Sequence, residues 1–211
     1  MSFPNLIIEL EDGGIVAGVD EAGRGCWAGS VVAGAVILDY NNVPKAINDS
    51  KKLSHEKREE IYQEIIKTCQ YAVGIATAQE IDEINILEAT KLAMQRAVAN
   101  LGIIPDLALI DGNKAPILPC KTKTVIGGDA KSLSIAAASI IAKVTRDRMM
   151  TELAKQYPHY GWETNAGYGT KQHQQALAKY GVTEYHRKTY KPIKLLLETQ
   201  PQQQKLQREL L

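Results

Sequence analysis

Asp20 and Glu21 are adjacent carboxylates at the end of a short apolar run, and Gly23-Arg24-Gly25 follows them almost directly. Asp111 and Asp129 each follow another apolar run. Acidic groups gathered from three strand ends repel one another unless cations stand between them. An all-oxygen ligand set selects hard cations, so Mg²⁺ or Mn²⁺ suits these residues better than zinc. Two such ions about 4 Å apart would clamp the attacking and leaving oxygens of an in-line phosphoryl displacement. One carboxylate at a strand end is ordinarily a turn former or a helix cap. Four at three strand ends, where open α/β sheets bind ligands, point to metal-assisted chemistry on a phosphate.

The elements that must position these groups are legible from pattern. Residues 15–19 read as a buried strand ending at Asp20, 30–38 as a second strand and 71–77 as a third, with the first two paired antiparallel. Residues 106–110 and 121–126 give a fourth and a fifth, with a helix-like link between them. Adjacent residues of a regular strand face opposite ways, so Asp20 and Glu21 reach one site only if the chain ends or bends there. Gly23-Arg24-Gly25 supplies the expected break and lets backbone approach a sugar or phosphate. Ser54 starts a helix with Ile61, Ile65 and Ile66 at helical spacing. Others run over 85–100, stopped by Gly102 and Pro105, over about 132–156 with Ser132 and Ser134 as caps, and over 171–179, closed by Gly181. The expected fold is α/β, a central mixed five-stranded sheet flanked by helices with a helical C-terminal extension.

At 211 residues and 45% hydrophobic, the chain can bury one sizeable core. We expect one catalytic domain over 1–199 and a polar, flexible tail over 200–211. The net charge of +1 does not announce a nucleic-acid partner, so any basic surface is local. Cys26, Cys69 and Cys120 have no metal-binding spacing, which favours reduced thiols and a cytoplasmic location. No signal peptide or membrane span is expected.

The successive motifs Gly18-Val19-Asp20-Glu21-Ala22-Gly23-Arg24-Gly25, Asp49-Ser50-Lys51-Lys52-Leu53, Ile110-Asp111-Gly112-Asn113 and Gly128-Asp129-Ala130-Lys131-Ser132 resemble those of ribonuclease HII. So do the stretch 136–147, Gly167-Tyr168-Gly169-Thr170 and His186-Arg187, in the same order, over about residues 14–193. The resemblance implies an RNase H-like fold and a two-metal endonuclease. Such an enzyme cuts the RNA strand of RNA–DNA hybrids and nicks 5′ of single ribonucleotides in duplex DNA, leaving 3′-hydroxyl and 5′-phosphate ends. It also implies a role in removing ribonucleotides from DNA, and a monomer. Asp20, Glu21, Asp111 and Asp129 would be the metal ligands, with Asp20 bridging both ions. Asp129 would help hold the ion that activates water, and Glu21 and Asp111 the ion facing the leaving oxygen. The short lead before the first acidic motif, and Gly-Arg-Gly after it, favour HII over the related ribonuclease HIII. Gly127 and Asn165-Ala166 depart from the family pattern, where basic residues are common, so each is expected to remove a contact to the substrate backbone.

The 2′-hydroxyl is the handle that separates RNA from DNA. Gly23, Arg24 and Gly25 are expected to hydrogen-bond it and the neighbouring phosphate. Tyr168 could anchor its own loop, but the resemblance implies that it senses the 2′-hydroxyl. Lys51 is a candidate phosphate contact, with the rival reading of a solvated charge. Lys143 and Arg146 share one side of the long helix and reach either the DNA strand or, for Lys143, Asp147. Asn113 orients the Asp111 loop or touches substrate. His159, His173 and His186 read as surface or packing residues, and His186-Arg187 as support for the substrate face. The last residues, 207–211, loosely resemble a motif that docks on sliding clamps, against the simpler reading of a frayed end. Two rival readings stand beside this one: another nuclease of the same fold, which would lack the paired Gly-Arg-Gly and Gly-Tyr-Gly, and a non-catalytic nucleic-acid binder. Four carboxylates facing a polyanion make no sense for the second unless cations fill the site.

Overall fold

The computed structural model describes residues 3–199, so the expectations for the tail and its clamp motif lie outside the described residues. Five strands, β1 (Val16–Ala22), β2 (Val31–Ile37), β3 (Gln70–Ala76), β4 (Leu107–Asp111) and β5 (Lys121–Val125), form one sheet in the order β3-β2-β1-β4-β5. β1 pairs antiparallel with β2, and β2 with β3, whereas β4 is parallel to both β1 and β5. The sheet is therefore mixed, as its pattern predicts.

Helices cover both faces. Ala17, Val19, Val31, Ala33 and Ala35 point to α3 (Ala78–Ala99). Val36 meets α2 (His55–Thr68) and α4 (Leu133–Gln156), while Val16 and Leu109 lie against Ile135 of α4. Close approach of α4 to β1 requires Gly18, because a Cβ there would stand 2.1 Å from the Ser134 carbonyl carbon. The run Ala136-Ala137-Ala138, buried on α4, keeps that helix flush with the sheet. After α4 the chain adds α5 (Trp162–Asn165), α6 (Lys171–Tyr180) and helix over 191–199. They build a separate core of Ala28, Met150, Tyr160, Trp162, Leu177 and Ile193, the expected C-terminal extension.

Four local expectations are corrected. β1 does not end at Asp20. It continues to Ala22, with Asp20 and Glu21 still opposite Gly34 and Ala33 of β2, because β2 offers ladder partners that far. The turn comes at Gly23 (φ 97°). α3 begins seven residues before Asn85, at Ala78, behind a Thr77–Glu80 capping box. Asn85 (φ 68°) is a kink inside it, and its Oδ1 accepts from Leu87 N at 2.9 Å as a second cap. No helix joins β4 to β5. α1 (Ile7–Asp12) was not anticipated, because it is too short to show a helical period. It is tied down by Glu9, buried against α4, whose Oε1 accepts from Ser132 Oγ at 2.6 Å and Ser134 N at 2.9 Å. Ser132 is thus the α4 cap, while Ser134 serves Glu9.

The Thr77 box also binds Arg96, whose guanidinium grips Glu80 at 2.7 and 3.0 Å and donates to Ile75 O at 2.6 Å. These bonds hold the Glu80 carboxyl down at about 2. A lowered folded-state value means stability present above the unfolded value and lost as pH falls through the folded one. Glu80→Gln should cost about 1 kcal/mol at pH 7, the solvated setting keeping it small. Urea titrations should show that gap closing between about pH 4.5 and pH 2.

Candidate active site

Parallel pairing of β1 with β4 stops at Val19–Ile110, so the two strands part just where Asp20 and Asp111 stand. Asp129 follows in a short 3₁₀ turn, Gly128–Ala130, between β5 and α4. Asp20 lies on the α4 face of β1, with Val16 and Gly18, and Glu21 on the other. Both nevertheless line one cleft of about 320 Å³ beyond the strand end. Lys51, Lys143, Arg146, Tyr168 and Gly23-Arg24-Gly25 share its walls. Asp111, Asp129 and Asn113 are not among its lining residues; the first two act on Asp20 through their charge.

Burial raises the Asp20 carboxyl well above its usual range, and the charges of Glu21, Asp111 and Asp129 raise it further. Glu21 is raised by burial against the opposing pull of Arg24, and Asp111 by burial and Asp129 against a hydrogen bond from Gly128. The four are thus electrostatic neighbours. Each is turned to a donor: Asp20 Oδ1 accepts from Glu21 N (2.7 Å), Asp111 Oδ1 from Gly128 N (2.7 Å), Glu21 Oε1 from Arg24 (3.2 Å) and Asp129 Oδ2 from Lys51 Nζ (3.3 Å). Among the described residues no three acidic, His or Cys side chains form a ready-made ion cage in this arrangement. The donor chemistry still fits hard cations: four carboxylates, two of them (Asp20 and Asp129) buried, against which two side-chain cations already lean.

The basic residues expected at the substrate divide. Lys51 is mostly exposed at the cleft and tied to Asp129. Lys143 pairs with Asp147 at 2.8 Å, the second of its two readings. Arg146 is a correction. It is 2% exposed and gives its guanidinium to Ser30 O (3.0 Å), Ala166 O (2.8 Å) and Ala28 O (3.1 Å), so in the cleft wall it stands as a brace and not as a free cation for a phosphate. It ties the chain after Gly-Arg-Gly to the chain before Gly-Tyr-Gly.

Those two loops are locked together. Trp27 N and Ala28 N both donate to Gly167 O, at 2.8 and 3.3 Å. Gly167 has φ 83°, and a Cβ there would sit 2.5 Å from Ala28 O, so only glycine allows the contact. Asn165 is buried, donating to Tyr160 O (2.7 Å) and accepting from Gly167 N (2.8 Å); its departure from a basic residue serves this bracing. Tyr168 is 48% exposed over the cleft, its phenol raised by the neighbouring Cys26 thiol and by burial. Arg187 does more than support the substrate face in general. Fully buried, it donates to Gly23 O (2.6 Å), Arg24 O (2.7 Å) and Gly29 O (2.9 and 3.0 Å), and so holds the Gly-Arg-Gly loop in shape. His186-Arg187 was its only sequence signal. His159 stacks on Tyr180 at 4.1 Å, away from the cleft's lining.

Comparison with known proteins bears on this geometry. Residues 17–193 match the family model for ribonuclease HII. The ribonuclease HII of Magnetococcus marinus is 57% identical over 185 residues, 86% of this chain and 87% of that one. The ribonuclease H2 of Pyrococcus horikoshii superposes with a TM-score of 0.73 at 30% identity, covering 87% of this chain and 97% of that one. The ribonuclease HII in the PCNA complex from Archaeoglobus fulgidus gives 0.72 at 29% identity, covering 84% and 95%. Sheet order, flanking helices and paired loops therefore have one common explanation: the chain is a ribonuclease H, a hydrolytic nuclease, and belongs to the ribonuclease HII family.

Proposed function

We propose that this enzyme hydrolyses the RNA strand of RNA–DNA hybrids and nicks duplex DNA on the 5′ side of single embedded ribonucleotides, with Asp20, Glu21, Asp111 and Asp129 as ligands for two Mg²⁺ or Mn²⁺ ions. The observation that carries the reading is the buried Asp20 carboxylate, pushed up by burial and by the three other acids around it. Such a cluster is stable beside a polyanion only with cations in it. When bound, the two ions supply the positive charge that stabilises the attacking and leaving oxygens of an in-line displacement.

The chain's own groups do the rest. Lys51 and Arg24, each paired with one of the acids, stand at the cleft where a phosphate would arrive and are free to exchange partners with it. Carbonyls held by Arg187 fix the Gly23–Gly25 backbone, leaving it pre-shaped for a ribose 2′-hydroxyl. Tyr168 closes the cleft from the opposite loop, its ring placed to stack on the sugar and its hydroxyl, now paired with the Cys26 thiol, placed to exchange that partner for the ribose. Water attacks phosphorus, the bond to the upstream 3′ oxygen breaks, and 3′-hydroxyl and 5′-phosphate ends result. The family role then extends to clearing ribonucleotides from DNA.

The test is a duplex carrying one ribonucleotide, incubated with and without Mg²⁺ or Mn²⁺, beside an all-DNA duplex. Cutting on the 5′ side of the ribonucleotide, only with metal, is expected; an uncut strand with manganese supplied defeats the proposal. Tyr168→Ala should slow that nick by roughly 10- to 100-fold, the worth of one stacking contact and one hydrogen bond. It should leave the metal-induced rise in melting temperature unchanged. Nicking at the wild-type rate would remove Tyr168 from substrate recognition.

A further inference from the structure

Beneath the Gly-Tyr-Gly loop lies a buried polar chain that the cleavage chemistry does not use. His173 and His186 are both fully buried, with their Nε2 atoms 3.0 Å apart. Two contacts fix which nitrogens carry protons. Thr183 N, which can only donate, lies 3.0 Å from His186 Nδ1, so that nitrogen is bare and the proton of His186 sits on Nε2. Trp162 Nε1, also only a donor, lies 3.2 Å from His173 Nε2, so this atom is an acceptor, its one lone pair shared between Trp162 and the nearer His186 Nε2–H. The proton of His173 therefore sits on Nδ1, where it donates to Tyr168 O at 2.9 Å. Every hydrogen bond runs one way, from Thr183 through His186 and His173 to the carbonyl of the residue at the mouth of the cleft. The opposite tautomers would set N–H against N–H at two places. Burial keeps both rings neutral, His186 down at about 3, so the order persists through the neutral range.

We propose that His173 is a positioning residue: this one-way hydrogen-bond chain clamps the Tyr168 carbonyl and thereby sets where the Tyr168 ring stands over the Gly-Arg-Gly loop. The positioning role rests on the reading of Tyr168 as the ribose-sensing group, whereas the proton order stands without it. Thr170, whose side chain caps α6 at His173 N, and Gln174, which donates to Gly169 O at 2.8 Å, hold the same loop to the same helix. α6 is thus the platform on which the loop is mounted.

Two measurements test it. Imidazole ¹⁵N spectra of the wild-type chain at pH 7 should show His173 as the less common Nδ1–H tautomer and His186 as Nε2–H, with His55 and His159 as references. An Nε2–H signal for His173 overturns the chain outright, whatever any variant does. In the activity arm, His173→Leu should slow nicking at a single ribonucleotide about tenfold, the worth of one lost hydrogen bond. His173→Asn, whose amide N–H stands where Nδ1–H stood, should recover most of the rate. The metal-induced melting shift should be unchanged in both. Combined with Tyr168→Ala, His173→Leu should add nothing. Equal losses in the Leu and Asn variants, or additive losses in the double variant, overturn the positioning role. Wild-type rates in Tyr168→Ala alone overturn that role together with the Tyr168 reading, while the spectra still judge the proton order.

Discussion

Asp20→Asn is expected to lower the rate of ribonucleotide cleavage by roughly 10³-fold, because several kcal/mol of transition-state charge stabilisation pass through the carboxylate placed between the proposed ions. The same substitution should raise the melting temperature in EDTA. Asp20 is buried and opposed by Glu21, Asp111 and Asp129, so a negative charge on it is a cost to the metal-free fold. The sign follows from linkage: a carboxyl raised in the folded state has its stability fully present below the unfolded value and loses it as pH rises through the folded one, so ionising Asp20 costs the metal-free fold. An amide of the same shape removes the repulsion. Added Mn²⁺ should stabilise the wild type strongly and the variant little, by mass action on a site that exists only when folded. Thermal melts of both proteins with EDTA and with excess Mn²⁺ give four values. A variant that melts below wild type in EDTA, or gains as much from Mn²⁺, would place the ions elsewhere.

The acidic centre was legible because its residues sit next to strand ends, and strand ends are what apolar runs mark best. β4 and β5 fall within a residue of expectation, and Asp111 and Asp129 follow them as expected. The end of β1 was misplaced because ladder pairing decides where a strand stops: β2 carries β1 through Asp20 and Glu21 to Ala22, and the turn then comes at Gly23, within the glycine pair expected to supply it. Arg146 misled for a related reason. Its spacing from Lys143 shows that both lie on one side of α4, but spacing does not say that Ser30, Ala28 and Ala166 present carbonyls to that side. Three chain segments distant in sequence make that pocket, and no local pattern announces it. Arg187 and the His173–His186 pair were hidden likewise. A buried arginine and a buried neutral histidine look like surface residues until the partners that satisfy them are in view. What the sequence displays is chemistry that must meet solvent or substrate, while the braces that hold it are tertiary.

Acid should expose one of those braces. His186 is held at about 3 by burial and by the neighbouring His173, against an ordinary value of 6.5. For a base with a lowered folded value, the unfolded chain binds the proton first, so stability falls as pH drops below 6.5. The slope is about 1.4 kcal/mol per pH unit for one proton, and roughly 4 kcal/mol accumulates by pH 3. That is a large part of the 5–15 kcal/mol typical of a folded domain. Protonation also places an N–H on Nδ1 against the Thr183 N–H that now points at it, so the bond at 3.0 Å becomes a repulsion. His186→Gln keeps an N–H for His173 and has nothing to titrate. It should be less stable than wild type at pH 7, where it loses the Thr183 contact, and its stability should fall less steeply with acid, so that the two curves converge or cross below about pH 5. Urea unfolding of both chains in EDTA from pH 7.5 to 4 measures this directly. Parallel curves would mean that His186 takes up no proton on unfolding in this range, and that the buried pair is already charged or already open.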